Sequence, residues 1–143
     1  MRVQTTSSSA PSTAGQLRVL VFGNPLARID SAAVKIAKKL GGKMPGMEFV
    51  RFDTSEDLEN EGSELFILDA VVGLEKPRLV TLDELELSAR PLSLHGFDLT
   101  WSLLLLKKLG KLKKATIIGV PAKKSVKESL PVVEKLLKKL ISV

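Results

Sequence analysis

Hydrophobic residues along the chain fall into short continuous runs separated by polar and glycine-rich segments. Four runs are rich in β-branched and aliphatic residues and end at Gly, Pro or acidic residues, a pattern that predicts buried β-strands. They cover residues 17–22, 47–53, 65–73 and 114–121. The stretch PRLVTLDEL, residues 77–85, predicts a further and more exposed strand. The acidic residues 53–64 predict a loop with at most one helical turn.

Three other segments repeat apolar positions at helical spacing. The first lies within IDSAAVKIAKKLGG, where Asp30 or Ser31 would cap the helix and the glycine pair would stop it. The second, FDLTWSLLLLKKLG, is apolar nearly all round, which predicts a buried helix. The third, residues 125–143, predicts an amphipathic helix with Pro131 in its first turns.

Strands and helices therefore alternate through most of the chain. This order predicts an α/β fold, a three-layer sandwich with a twisted, mostly parallel central sheet flanked by helices. Residues 16–143 have no internal repeat and no linker, so we expect a single domain. Residues 1–15, MRVQTTSSSAPSTAG, are Ser/Thr-rich without the apolar segment of a signal peptide, and we expect a disordered leader.

Composition excludes several classes of function. The chain has no cysteine, which removes disulfides, thiol nucleophiles and thiolate metal sites. Its net charge of +6 comes mainly from lysines at helical spacing, with no aromatic residues between them to stack on bases, so we do not expect nucleic-acid binding. No uncharged apolar run approaches the roughly 20 residues of a membrane span. We expect a cytoplasmic protein.

Polar residues with catalytic chemistry collect where predicted strands end. Asn24 and Asp30 follow the first strand, Asp69 stands at the end of the apolar run LFILD, and His95, the sole histidine, precedes the leucine-rich helix. Ligands of open α/β sheets bind beyond the carboxyl ends of the strands, so these four residues can converge. A carboxylate in an apolar strand must be paired, hydrogen-bonded or metal-bound.

Each of these residues also has a plain structural interpretation. Asp69 can cap a loop beyond the buried part of its strand, Asp30 can cap a helix, and His95 can pack at a helix entry. Together they form a set of one imidazole and two carboxylates, which suits nickel or zinc with coordination positions left open. The chain has neither a Gly-x-Ser-x-Gly elbow nor a phosphate-binding glycine loop.

Three stretches in order along the chain carry a family resemblance. They resemble three segments of the nickel–iron hydrogenase maturation endopeptidases. The opening strand and loop of that family are similar to VLVFGNPLARIDSAAVKIAKKL, and its central strand ending in Asp-Ala is similar to LFILDAVVG. Its Ser-x-His segment is similar to PLSLHGFDLTWSLLLLKKLGKLKKATIIGVPAK. The match covers roughly residues 17–141. Val21 and Ile29 stand where the family has a glycine and the first acid of an acidic pair.

The resemblance implies a phosphorylase/hydrolase-like α/β fold and a specific activity. Such an endopeptidase removes the C-terminal extension of the hydrogenase large-subunit precursor after nickel insertion. The resemblance places the nickel-recognising and catalytic residues at Asp30, Asp69 and His95, with nickel supplied by the substrate and Asn24 positioning the peptide. The alternative is a diverged, non-catalytic module of the same fold that senses nickel or binds the large subunit.

Overall fold

The computed structural model describes residues 3–4, 16–23, 32–52, 58–71, 73–87 and 97–141. These residues form one six-stranded sheet with helices on both faces. The strands are β1 Val3–Gln4, β2 Leu17–Phe22, β3 Met47–Phe52, β4 Glu64–Val71, β5 Arg78–Thr81 and β6 Lys114–Pro121. The helices are α1 Ala32–Leu40, α2 Leu82–Leu87, α3 Phe97–Lys108 and α4 Val126–Ile141, with one 3-10 turn, η1, at Leu58–Glu61.

The sheet is parallel except at one edge. Its strand order is β1-β3-β2-β4-β6-β5, and only β5 runs antiparallel to its neighbour. β2, β4 and β6 are interior strands and are buried along most of their length, as their continuous apolar runs predicted. The predicted α/β sandwich with a mostly parallel sheet is confirmed.

Two apolar clusters cover the two faces of the sheet. On one face α1 and α4 pack against alternate residues of the central strands, such as Leu68 and Ile118. On the other face η1, α2 and α3 pack against the intervening residues, such as Ile67 and Ile117. Because successive strand residues point to opposite faces, each buried strand supplies both clusters.

The segment after β4 differs from the predicted strand over residues 77–85. Only Arg78–Thr81 is extended, and the chain then turns into α2. The Glu84 amide donates a hydrogen bond to the Thr81 hydroxyl at 3.2 Å, and the Thr81 amide donates to the Glu84 carboxylate at 3.3 Å. This reciprocal capping box, Thr-x-x-Glu, starts the helix and was the sequence signal that the strand prediction overlooked.

The prediction that α3 is buried on all sides is wrong. Leu99 and Leu103 are buried against the sheet, but Trp101 is 61% exposed and Leu105 is 45% exposed. The reason is that α3 lies in an outer layer of the sandwich, so the side of the helix that faces the sheet is the buried one. Composition alone does not distinguish a central helix from an outer one.

The ends of the domain carry further local signals. Ser125 caps α4, because its hydroxyl accepts a hydrogen bond from the Glu128 amide at 3.1 Å, and Pro131 lies in the second turn, as predicted. Val3–Gln4 pair in parallel with β3, which corrects the expected disorder at these two residues. The unpaired edge groups of β3 provide the hydrogen bonds for this short strand. The rest of the expected leader lies outside the described residues.

An ion cluster connects the strands to η1 near the amino end of β2. The Arg18 guanidinium donates two hydrogen bonds to Glu61, at 2.6 and 3.3 Å, and one to Glu48 at 3.3 Å. The side chains of Arg18 and Glu61 are only 14% and 4% exposed. The cluster therefore fixes η1 against the sheet with largely desolvated charges.

Among the described residues the structure contains no helix with the length and apolar character that a membrane crossing requires.

Candidate active site

The order of the strands defines where a ligand site is expected. From β2 the chain passes through α1 outward to β3, then crosses back over β2 to β4 and continues away to β6. This reversal makes the crevice between the carboxyl ends of β2 and β4 the topological switch point of the sheet. Open α/β sheets bind their ligands at such points.

Asp69 lies in β4 next to this crevice. It stands two residues before the strand ends at Val71, and its side chain is 0% exposed. Leu68 pairs with Val21 of β2, so Asp69 is one residue further along, level with the end of β2. By the two-residue period of the strand, its side chain shares the sheet face of Ile67 and Val71, the face that α3 covers.

The burial of Asp69 sets its chemistry apart from that of the surface acids. Transfer of an ionised carboxylate into an apolar environment costs several kcal/mol unless other groups compensate it. Asp69 takes part in at least one polar or electrostatic interaction in the structure. The interpretation of Asp69 as a loop cap beyond the buried part of the strand is wrong, because the residue is inside the strand and fully buried.

Gly119 is the neighbour of Asp69 on β6, and its role was missed by the sequence interpretation. The two residues are paired across the strands, and Gly119 alternates with Ile118 and Val120, which face the α1 side. A Cβ atom built on Gly119 would lie 2.7 Å from Leu74 Cδ1 and 3.0 Å from a Val71 methyl carbon. A glycine inside an apolar strand is a signal of such close approach.

α3 begins at the same edge of the sheet as Asp69. The residues that follow the helix bond to the opposite edge, because the Lys113 amide donates a hydrogen bond to the carbonyl of Ser63, just before β4, at 2.8 Å. α3 is 12 residues long, about 18 Å, and runs back from that edge. Its first residue, Phe97, is therefore at the carboxyl end of the strands, and His95 precedes it by two residues in sequence.

The end of β2 contains a glycine that its backbone conformation requires. Gly23 is buried and has a φ of 144°, a conformation that side-chain-bearing residues rarely adopt. Val21 is inside β2 and paired with Arg51 and Leu68, where extended backbone suits a β-branched residue. The position with the unusual backbone angle therefore carries a glycine, and Val21 lies in regular strand.

The other three predicted site residues, Asn24, Asp30 and His95, lie outside the described residues. Within the described ranges, which include neither Asp30 nor His95, no group of three His, Asp or Glu side chains forms a metal site.

The described part of the site already restricts its chemistry. A buried carboxylate on a central strand offers a hard oxygen ligand or an acceptor in a medium of low polarity, where electrostatic interactions are stronger than in water. Asp69 pairs with Gly119 of β6, and the residue before it, Leu68, pairs with Val21 of β2, so its backbone belongs to the regular part of the sheet. One such carboxylate suits recognition of a cation or of a hydrogen-bond donor.

Comparison with known proteins supports the fold. The structure is similar to that of a [NiFe] hydrogenase maturation protease HycI from Thermococcus kodakarensis KOD1, with a TM-score of 0.56, 18% sequence identity, and coverage of 91% of this chain and 96% of that chain. It is also similar to an uncharacterized protein from Wolinella succinogenes, with a TM-score of 0.52, 19% identity, and coverage of 87% and 99%. No protein-family model and no curated protein sequence matches the chain.

These similarities extend over nearly the whole length of both chains. At 18% and 19% identity they establish a shared fold. The fold of the HycI protease fits the family resemblance of the three sequence stretches, which was drawn from the residues alone.

Proposed function

We propose that the chain is an endopeptidase that removes the C-terminal extension of the nickel–iron hydrogenase large-subunit precursor after nickel insertion. The observation that carries this proposal is the fully buried carboxyl group of Asp69 beside the topological switch point. The similarity of the fold to that of a [NiFe] hydrogenase maturation protease and the resemblance of the three sequence stretches support it.

In this proposal the nickel ion belongs to the substrate. Asp69 supplies an oxygen ligand to it, and Asp30 and His95 supply a second oxygen and an imidazole nitrogen. Such a mixed set fits nickel, which accepts imidazole and carboxylate ligands. Asn24 positions the peptide next to the site. Docking of the nickel then brings the scissile bond to the carboxyl edge of the sheet and distinguishes a loaded precursor from an empty one.

The reaction is hydrolysis of one peptide bond. A water molecule adds across the bond, leaving a carboxylate on the mature subunit and an amine on the released peptide. A divalent metal ion at the site supplies Lewis-acid polarisation of a carbonyl group. The chain's own contribution is binding and orientation, because Asp69 belongs to a paired strand, and the apolar surroundings of that strand exclude bulk water from the carboxyl group. The cysteine-free chain has no thiol nucleophile.

The test is the mass of the large-subunit precursor. Nickel-loaded precursor is incubated with wild-type protein, with Asp69→Asn, and with Glu134→Gln as the matched control. Glu134 makes an exposed ion pair with Lys138 on α4, so its amide variant loses a carboxylate far from the site. We expect loss of the extension with wild type and Glu134→Gln, and a decrease of at least about 10-fold in cleavage rate with Asp69→Asn.

Two other outcomes decide against the peptidase. A stable complex with a precursor of unchanged mass supports the non-catalytic, nickel-sensing or subunit-binding module. Absence of both cleavage and complex formation refutes the assignment to hydrogenase maturation. A calorimetric nickel titration of wild type, Asp69→Asn and His95→Ala, each checked for folding by circular dichroism, then shows whether the proposed ligands bind free nickel.

A further inference from the structure

The two helices on one side of the sheet, α1 and α4, carry most of the positive charge of the protein. They lie side by side over the same apolar cluster. Together they contain seven lysines and two glutamates, which gives them a formal net charge of +5, compared with +6 for the whole chain. All seven lysines are exposed, and we call them the basic face: Lys35, Lys38, Lys39, Lys127, Lys135, Lys138 and Lys139.

The layer on the other side of the sheet has the opposite composition. η1 and α2 contain five acidic residues and no basic residue. Each of these acids forms an ion pair within the chain: Glu59 with Lys111, Glu61 with Arg18, Glu84 with Arg78, and both Asp83 and Glu86 with Lys107. The negative charge of η1 and α2 is therefore balanced internally, whereas α1 and α4 have two glutamates for seven lysines.

Helix stability does not explain the arrangement of these lysines. The same pattern, Lys-x-x-Lys-Lys, occurs in both helices, as KIAKK at residues 35–39 of α1 and as KLLKK at residues 135–139 of α4. Each pattern places like charges three and four residues apart, a spacing at which they repel each other and weaken a helix. The last two lysines of each pattern do interact favourably with the helix dipole, but the first lysine lies a turn earlier and does not share that benefit.

The side chains of the basic face indicate which kind of anion it fits. All its cations are lysines, and α1 and α4 contain neither arginine nor an aromatic residue. Nucleic-acid sites use the arginine fork and aromatic stacking, and protein interfaces are enriched in arginine and aromatic residues and depleted in lysine. A layer of anionic lipid headgroups requires neither, because it attracts each lysine as a point charge near the surface.

The shape of the basic face is also suited to a lipid surface. α4 has 16 residues and is about 24 Å long, and α1 has nine residues and is about 14 Å long. Helices in one layer pack roughly 8–10 Å apart, so the lysines are spread over a broad area. Clusters of four to eight basic residues on an amphipathic helix are typical of surfaces that bind anionic lipids.

We infer that the basic face docks the protein on an anionic phospholipid surface. α1 and α4 lie along the headgroups, with their ammonium groups next to lipid phosphates, and α3 points away because it is on the other side of the sheet. A second copy of the chain is a poorer partner, since the acids of its η1 and α2 are already paired. The inference does not rest on the proposed function, because it uses none of the residues near Asp69.

Co-sedimentation with vesicles measures the binding. At about 0.1 M salt we expect the protein to sediment with phosphatidylcholine vesicles that contain about 30% phosphatidylglycerol, and to stay in solution with pure phosphatidylcholine vesicles. Raising the salt to about 0.5 M should lower the partition coefficient at least about tenfold, because the ions screen the attraction. Trp101, the only tryptophan, lies exposed on α3, so its emission should not shift to shorter wavelength in the bound protein.

A pair of variants with equal net charge locates the binding. Lys35→Gln/Lys135→Gln should lower the partition coefficient at least about tenfold, because it removes the first lysine of each pattern. Lys108→Gln/Lys113→Gln removes two exposed lysines outside the basic face and should change the coefficient by less than about twofold, since charges beyond a Debye length of the lipid are screened. Circular dichroism checks that both variants are folded.

Several results would overturn the inference. They are no sedimentation with the phosphatidylglycerol vesicles, equal sedimentation with the pure phosphatidylcholine vesicles, or equal losses in the two double variants. A shift of Trp101 emission to shorter wavelength on the vesicles would place α3 at the membrane instead. Displacement from the vesicles by duplex DNA, at a phosphate concentration below that of the anionic lipid, would assign the basic face to nucleic acid. An oligomer in sedimentation velocity without vesicles, abolished by Lys35→Gln/Lys135→Gln, would assign it to self-association.

Discussion

Replacement of Arg18 by methionine removes the centre of the ion cluster that holds η1 to the sheet. The methionine keeps the apolar stem of the side chain, so the change isolates the guanidinium group. What remains is the carboxylate of Glu61, 4% exposed and deprived of its two hydrogen bonds to Arg18, and the carboxylate of Glu48, which loses one bond at 3.3 Å.

The expected loss of stability follows from these exposures. Removing one partner of a buried ion pair costs about 3–5 kcal/mol, because the other charge stays buried without compensation. Arg18 is 14% exposed and Glu48 is 23% exposed, so we take the lower limit and expect about 3 kcal/mol for Arg18→Met. Glu48→Gln removes only the longer and more exposed contact and should cost about 0.5–1 kcal/mol.

Urea unfolding followed by far-UV circular dichroism measures both values. With a slope of about 2 kcal/mol per molar urea, Arg18→Met should lower the unfolding midpoint by about 1.5 M. The double variant Arg18→Met/Glu61→Leu should regain most of this loss, because an apolar pair leaves no buried charge. A midpoint for Arg18→Met within about 0.3 M of wild type, or a larger effect for Glu48→Gln than for Arg18→Met, would refute the reasoning.

Two further predictions concern packing. Gly119→Ala should lower the free energy of unfolding by about 1–3 kcal/mol, because its Cβ would lie 2.7 Å from Leu74 and 3.0 Å from Val71. Adding Leu74→Ala to this variant should restore part of the loss, and no recovery in the urea midpoint would contradict the proposed clash. Leu103→Ala, at a fully buried position of α3, should lower the free energy of unfolding by about 3–5 kcal/mol, whereas Leu105→Ala on the exposed side of the helix should change it by no more than about 0.5 kcal/mol. Similar losses at both positions would contradict the placement of α3 in an outer layer.

The sequence determined the elements whose signals are local. The bounds of β2 and β6 agree with the pattern of the chain, because a buried parallel strand needs a continuous apolar run and a clear stop. The acidic segment likewise forms only one helical turn, η1. The capping box of Thr81 and Glu84 is equally local, and it starts a helix within the apolar run that had predicted a strand.

Only the tertiary structure decided which apolar residues are buried and which polar residue lies next to the switch point. Trp101 and Leu103 are two residues apart in one leucine-rich helix, yet one is 61% exposed and the other fully buried, because burial depends on what packs against each face. Asp69 became a defined chemical group through strand order, since pairing with β2 and β6 sets both its burial and its place at the edge of the sheet. Strand order depends on contacts between residues far apart in the chain, and local patterns do not encode them.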